Sequence, residues 1–133
     1  MNERSSVSIY TEWDVVAARQ LGRDEAKAVG FGTVDQARIT TAISELARNI
    51  YLYAGTGEIE IERLHDGKRT GLKIIASDDG PGIQDVRRVM EDGFTTSGGL
   101  GAGMPGVQRL VDEFKIETEI GKGTKITAVK WLR

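Results

Sequence analysis

The sequence predicts an α+β fold, with helices laid on one face of a mixed, mainly antiparallel sheet. Three observations carry this. Strand and helix patterns follow the order β-α-α-β-β-(α)-α-β-β, which departs from the strict β-α alternation of a doubly wound parallel sheet. The run Glu58-Ile59-Glu60-Ile61-Glu62 alternates polar and apolar residues, and the turn signal His65-Asp66-Gly67-Lys68 folds it back as a hairpin. Upstream, two long stretches repeat apolar residues at helical spacing.

Each element follows from its local pattern. Val7, Ile9 and Thr11 alternate with polar residues and predict a short opening strand. From Glu12 to about Val29, Trp13, Val16, Ala17, Leu21 and Ala28 recur at helical spacing, and Gly30 stops the helix. Thr33 with Gln36 three residues on reads as a capping box. It opens the clearest helix, Val34 to about Tyr53, in which Ala37, Ile39, Ile43, Leu46, Ala47, Ile50 and Tyr51 form a broad apolar face. Gly55 and Gly57 end it. Gly71 to Ser77 is the returning strand of the hairpin, and residues 84–92 could form a short helix. Gly93 to Gly103 is glycine-rich and without periodicity, so a mobile loop is expected. Pro105 suits a first helical position, with the helix running to about Phe114. Strands at about Lys115–Ile120 and Lys125–Trp131 flank the turn Gly121-Lys122-Gly123.

Composition bounds the function. The chain has 133 residues, the size of a single domain (1–133) that buries roughly two-thirds of its unfolded surface and needs no staples. A formal net charge of −2 argues against a dedicated nucleic-acid binder. With no cysteine, disulfides and thiolate metal sites are excluded. No apolar run approaches the ~18 residues of a membrane span, and Met1–Ser6 leads into no signal-type segment, so no membrane association and a cytoplasmic protein are expected.

Three motifs carry chemistry. Glu45 and Asn49 lie four residues apart on one helix, hence on one face about 5–6 Å apart at Cβ, at the border of the apolar stripe. An amide oxygen is a hard ligand suited to Mg²⁺, and a neighbouring carboxylate could take the proton of an attacking hydroxyl. An arbitrary Glu-x-x-x-Asn is more often a solvated helix face, and the pair gains weight only in company. Asp78 follows a strand and precedes Gly80-Pro81-Gly82. A carboxylate there can accept a hydrogen bond from an exocyclic amine such as adenine N6, though Asp, Gly and Pro are also the usual turn residues. Gly98-Gly99-Leu100-Gly101-Ala102-Gly103 offers bare amides leading into a helix amino terminus near Met104, an arrangement that attracts phosphate. Gly101-x-Gly103-x-x-Gly106 satisfies the dinucleotide fingerprint, but a loop precedes it where that fingerprint needs a strand, which excludes a Rossmann site.

In this order and spacing the motifs resemble those of the gyrase–Hsp90–histidine kinase–MutL (GHKL) ATPase superfamily. Glu45-Leu46-Ala47-Arg48-Asn49 is similar to its N box and Asp78-Asp79-Gly80-Pro81-Gly82 to its G1 box. Gly99-Leu100-Gly101-Ala102-Gly103 is similar to its G2 box, and Gly121-Lys122-Gly123-Thr124 to the Gly-x-Gly-Thr that closes the site. The likeness covers nearly the whole chain and implies the Bergerat-type two-layer α/β sandwich. Without a dimerisation or transducer domain, the chain resembles the small bacterial serine/threonine kinases that act as anti-sigma factors and partner-switching kinases. That resemblance implies ATP and Mg²⁺ as cofactors, with Asn49 as metal ligand and Glu45 as general base. Asp78 would read adenine, supported by Thr124. Gly80 and Gly82 would shape the base pocket, while Gly99, Gly101 and Gly103 would serve the lid and phosphates. It further implies STAS-domain proteins as substrates and a PP2C-type phosphatase as the partner activated on release. Sequestration of a sigma factor is the alternative output.

Overall fold

The computed structural model describes residues 4–83, 90 and 103–133. In chain order the elements are β1 (Arg4–Ile9), α1 (Glu12–Val29), α2 (Thr33–Asn49), a π-helical turn (Ile50–Ala54), β2 (Gly57–His65), β3 (Thr70–Asp78), α3 (Gly103–Leu110), β4 (Glu113–Glu119) and β5 (Gly123–Trp131). The strands form one sheet in the order β1-β2-β3-β5-β4. All four pairings are antiparallel, so the mixed component of the expected sheet is absent among the described residues. The α+β class and the two layers are as the sequence predicts.

The core lies between sheet and helices. Ile59 and Ile61 of β2, Leu72 and Ile74 of β3 and Ala128 of β5 meet Ala18 of α1 and Ile39, Ile43 and Leu46 of α2, and none of the nine is more than 1% exposed. Burial of each large side chain contributes roughly 1.5–3 kcal/mol, so this layer dominates stability. Glu58, Glu60 and Glu62 alternate onto the other face of β2, where Arg4 of the edge strand bridges Glu60 at 3.6 Å and Glu62 at 3.3 Å.

The helix starts differ from the expected ones. The capping interaction falls on α1, where the Asp14 carboxylate accepts N–H groups from Tyr10 at 2.8 Å and Thr11 at 2.9 Å. At α2 the cap residue is Gly32, Thr33 is already helical, and Gln36 Nε2 donates to the Phe31 carbonyl at 2.8 Å. Burial of Phe31 fixes where the chain enters α2, and that outweighs the local Thr–Gln preference. Gly30, at φ +113°, closes α1 in the left-handed region, and Phe31 N–H bonds back to Ala26 O at 3.0 Å.

The helix expected to run to Tyr53 stops being α-helical at Asn49. Residues 50–54 form a wider turn, closed by Gly55 N–H on Ile50 O at 2.9 Å. α3 starts at Gly103, places Pro105 within its first turn, and ends at Leu110; Phe114 belongs to β4, opposite Ala128. Asp112 takes over at that junction, accepting Trp131 N–H at 2.7 Å and pairing with Arg133 at 2.6 Å. β4 therefore begins two residues before the expected Lys115, and β5 begins at Gly123 rather than Lys125. The helix expected over 84–92 and most of the loop over 93–103 lie outside the described residues.

Candidate functional site

Asp78 is the last residue of β3, flanked across the sheet by Gly57 of β2 and Thr124 of β5. Its Oδ1 accepts the Gly80 N–H at 2.9 Å. Partial burial pushes the Asp78 carboxyl above the ordinary range. Backbone N–H groups of Gly80 and Thr124 act in the opposite sense, and the charge of Asp79 adds to the rise.

Side chains are missing where the backbone needs the room. A Cβ on Gly80 would stand 2.7 Å from Ala54 Cβ and 3.0 Å from Asp78 Oδ1. Gly82, at φ +81°, would place one 2.5 Å from Glu119 O. Gly123, at φ +125°, would drive one into Asp78 O. These close approaches pack Ala54 against Gly80, the Glu119 carbonyl against Gly82 and the Asp78 carbonyl against Gly123, around the end of β3. Thr118 staples this packing. Its hydroxyl donates to Gly123 O at 3.1 Å, accepts Ile83 N–H at 2.9 Å and lies 2.9 Å from Thr124 Oγ1. Gly121 N–H adds a bond to Pro81 O at 2.9 Å. The strap 80–83 is thus tied to the β4–β5 turn.

The second group sits at the end of α2. Glu45 is 5% exposed; Arg48 Nη1 donates to its Oε1 at 3.1 Å, while Oε2 is buried with no hydrogen-bond partner among the described residues. Asn49, one turn on, has its Nδ2 4.0 Å from Met104 Sδ, which brings the start of α3 against it. Gly103, buried at φ +68°, is the first residue of that helix.

The π-helical turn joins the two groups. It starts directly after Asn49, and Ile50 Cγ2 and the Asp78 side chain both stand within contact of the space above Gly57, while Ala54 packs on Gly80. Asn49, against Met104 at the start of α3, is thus followed by a turn whose first residue, Ile50, stands beside Gly57 and Asp78 and whose last, Ala54, packs on Gly80. Gly99 and Gly101 lie outside the described residues. A groove of about 420 Å³ lined by Thr33, Val34, Ala37, Arg38, Thr41 and Leu110 lies near the opposite end of α2 and includes none of these groups.

Sequence reading passed over Thr118, Ala54 and Gly57 as parts of this site. Thr118 left a signal, being polar at the inward position that Phe114 and Ile116 fill with apolar side chains. Ala54 and Gly57 left none, since their part depends on what packs against them.

Among the described residues no cluster of three or more His, Cys, Asp or Glu could cage a metal. A carboxamide such as that of Asn49 suits the other pattern, few protein ligands completed by phosphate oxygens, which is how Mg²⁺ commonly binds. The part-buried Asp78 carboxylate is an acceptor of the kind an exocyclic amine can donate to.

Residues 34–133 match the family model for histidine kinase-, DNA gyrase B-, and HSP90-like ATPases, and the chain belongs to that family. It is 71% identical over 133 residues to the serine/threonine-protein kinase RsbT of Bacillus subtilis (strain 168), covering the whole of both chains. It is 31% identical over 102 residues to an anti-sigma F factor of Thermoanaerobacter sp. (strain X514), covering 72% of this chain and 70% of that one. Among solved structures, the crystal structure of the RsbU and RsbW domains of Rv1364c from Mycobacterium tuberculosis superposes with a TM-score of 0.67 at 18% identity. That alignment takes in all of this chain and 33% of the longer one, and it bears on the fold alone.

Proposed function

We propose that this chain is an ATP- and Mg²⁺-dependent protein serine/threonine kinase of a bacterial partner-switching stress pathway, working in the cytoplasm. The observation that carries the reading is Glu45, a buried carboxylate with one oxygen that no described residue engages, one helical turn before Asn49. Full-length identity of 71% to a serine/threonine-protein kinase supports the same reaction class.

Phosphoryl transfer asks mainly for positioning and charge neutralisation. Asp78 accepts the adenine amine, with Thr124 and the Thr118 hydroxyl holding that end of the pocket in shape. Gly80 and Gly82 let the backbone approach the base. Gly99, Gly101 and Gly103 would belong to the lid and phosphate contacts, as in the G2 box they resemble. Asn49 offers its amide oxygen to Mg²⁺, which when bound neutralises phosphate charge. Glu45 takes the proton from the hydroxyl of the protein substrate. The substrates are STAS-domain antagonist and scaffold proteins, and the released kinase binds and activates a PP2C-type phosphatase.

Identity of 31% to an anti-sigma factor keeps a second output in view, capture of a sigma factor through the same nucleotide-bearing scaffold. The weaker and shorter likeness ranks it second. The test is transfer of radiolabel from ATP to a STAS-domain protein, with and without Mg²⁺. Glu45→Ala should lose at least about 100-fold in transfer, the usual contribution of a general base, while still binding ATP in calorimetry. Undiminished transfer by this variant would remove Glu45 from the mechanism. Retention of a sigma factor, but of neither a STAS protein nor a phosphatase, in a pull-down would favour the second output.

A further inference from the structure

We propose that Arg48 is the positioning residue for Glu45: by holding one carboxylate oxygen, it commits the other to the hydroxyl of the protein substrate. The inference rests on the kinase reading above and concerns a residue to which that reading assigns no part. Arg48 and Glu45 sit three residues apart on α2, with Arg48 Nη1 3.1 Å from Glu45 Oε1. Exposed pairs of this spacing on a helix do little. This pair is different because the acid side chain is only 7% exposed, against 38% for the arginine.

A carboxylate has two equivalent oxygens on a terminal torsion with a broad, roughly two-fold profile. Untethered, it presents either oxygen at a range of angles. Here Oε1 is anchored by a charge-assisted hydrogen bond, which fixes where Oε2 points. Oε2 is buried with no partner among the described residues. A buried acceptor left unpaired costs free energy, and such an arrangement suits a site where a proton donor arrives. In the reaction the substrate O–H bond breaks and its proton passes to Oε2. The hydroxyl oxygen bonds to the γ-phosphorus as the bond from that phosphorus to the bridging oxygen breaks, and ADP leaves with the electron pair. Arg48 touches none of these atoms; it acts through Glu45.

The test measures kcat and KM for ATP-dependent transfer to the STAS-domain substrate, alongside ATP affinity by calorimetry. The proteins are the wild type, Arg48→Ala, Arg48→Lys, Glu45→Ala and the double variant Glu45→Ala/Arg48→Ala. Misorientation of a reacting group by about 1 Å can cost on the order of 100-fold, so Arg48→Ala should lose about 10- to 100-fold in kcat with ATP affinity unchanged. Arg48→Lys, which keeps the cation, should recover part of it. The double variant should match Glu45→Ala alone, because a residue acting only through another adds nothing once that other is gone. Should Arg48→Ala not fold, Arg48→Gln carries the same comparison. Wild-type kcat without the guanidinium, or a further loss when the arginine is removed from Glu45→Ala, overturns the proposal. Undiminished activity in Glu45→Ala is a separate result: it overturns the base assignment itself, and this inference with it.

Discussion

Asp78 is asked to stay charged in a place that disfavours charge. Burial raises its carboxyl, the N–H groups of Gly80 and Thr124 only partly offset that, and Asp79 stands beside it. The sign of the consequence follows from linkage. A carboxyl whose folded value is raised contributes stability that is complete below its unfolded value and is lost as pH rises through the folded value. At neutral pH the ionised Asp78 therefore weakens the empty fold, a cost that its proposed role as acceptor for the base would explain. Acidification should protonate it sooner than an ordinary aspartate and remove the acceptor for adenine. ATP affinity, followed by calorimetry from pH 7 downward, should begin to fall above the usual aspartate range of about 3.9. An affinity that stays flat down to that range would sink the assignment of Asp78 to the base.

Among the elements, the π-helical turn runs from Ile50, directly after Asn49, to Ala54, which packs on Gly80. π-turns are rare and collect at functional sites, and this one sets Ile50 and Ala54 against the β2–β3 end while Tyr51, Leu52 and Tyr53 face outward. Its wider turn lets α2 deliver Asn49 and then place Ala54 on Gly80 within five residues. Enlarging Ala54 should therefore act on the nucleotide pocket. Ala54→Val presses extra atoms toward Gly80, where a neighbouring Cβ already has no room. Overpacking of this kind costs about 1–3 kcal/mol, so ATP binding should weaken at least about fivefold in a titration. Unchanged affinity would separate this turn from the pocket. α1 illustrates a different dependence: its start is held by Asp14, whose carboxyl is lowered by N–H groups of Tyr10 and Thr11. That contribution is present above the ordinary aspartate range and lost as pH falls through the lowered value.

At the scale of the whole molecule, the proposed function gives one antiparallel sheet two tasks that need not share a fate. On the proposed reading, transfer draws on Glu45 and Asn49 at the end of α2 and on Asp78 at the end of β3. Partner binding would, on the same reading, use exposed surface instead, such as that carrying Trp13, 80% exposed, and Val34, 63% exposed. Asn49→Ala should thus abolish phosphotransfer and leave activation of a PP2C-type phosphatase in place, measured by release of phosphate from a phosphoprotein. Loss of both outputs in a folded variant would show that the surface answers to the nucleotide site. No helix among the described residues is long and apolar enough to cross a membrane.

Much of this was legible without coordinates, because it is periodic or local. Ile59 and Ile61 alternate with glutamates, so the buried side of β2 follows from a period of two. Ile39, Ile43, Leu46 and Ile50 repeat at helical spacing, so α2 and its inward face follow likewise. Glu45 and Asn49 share a face by helix geometry alone, and Asp78 at a strand end before two glycines marks the turn that follows. Other features were decided by distant partners. Burial of Phe31 overrode a local capping signal and moved the start of α2. The switch from α to π after Asn49 keeps Ile50 buried but turns Tyr51, expected on the apolar face, outward with Leu52 and Tyr53, which the apolar pattern alone does not foretell. The contact of Ala54 with Gly80, the three bonds of Thr118 and the split between the Glu45 oxygens join residues far apart in the chain, or turn on what the rest of the fold covers. Sequence alone determined which residue types could bind a nucleotide and which faces they occupy, since those follow from backbone geometry within one element. Only the tertiary structure decided which of them meet, because close packing between elements depends on the shapes of both partners.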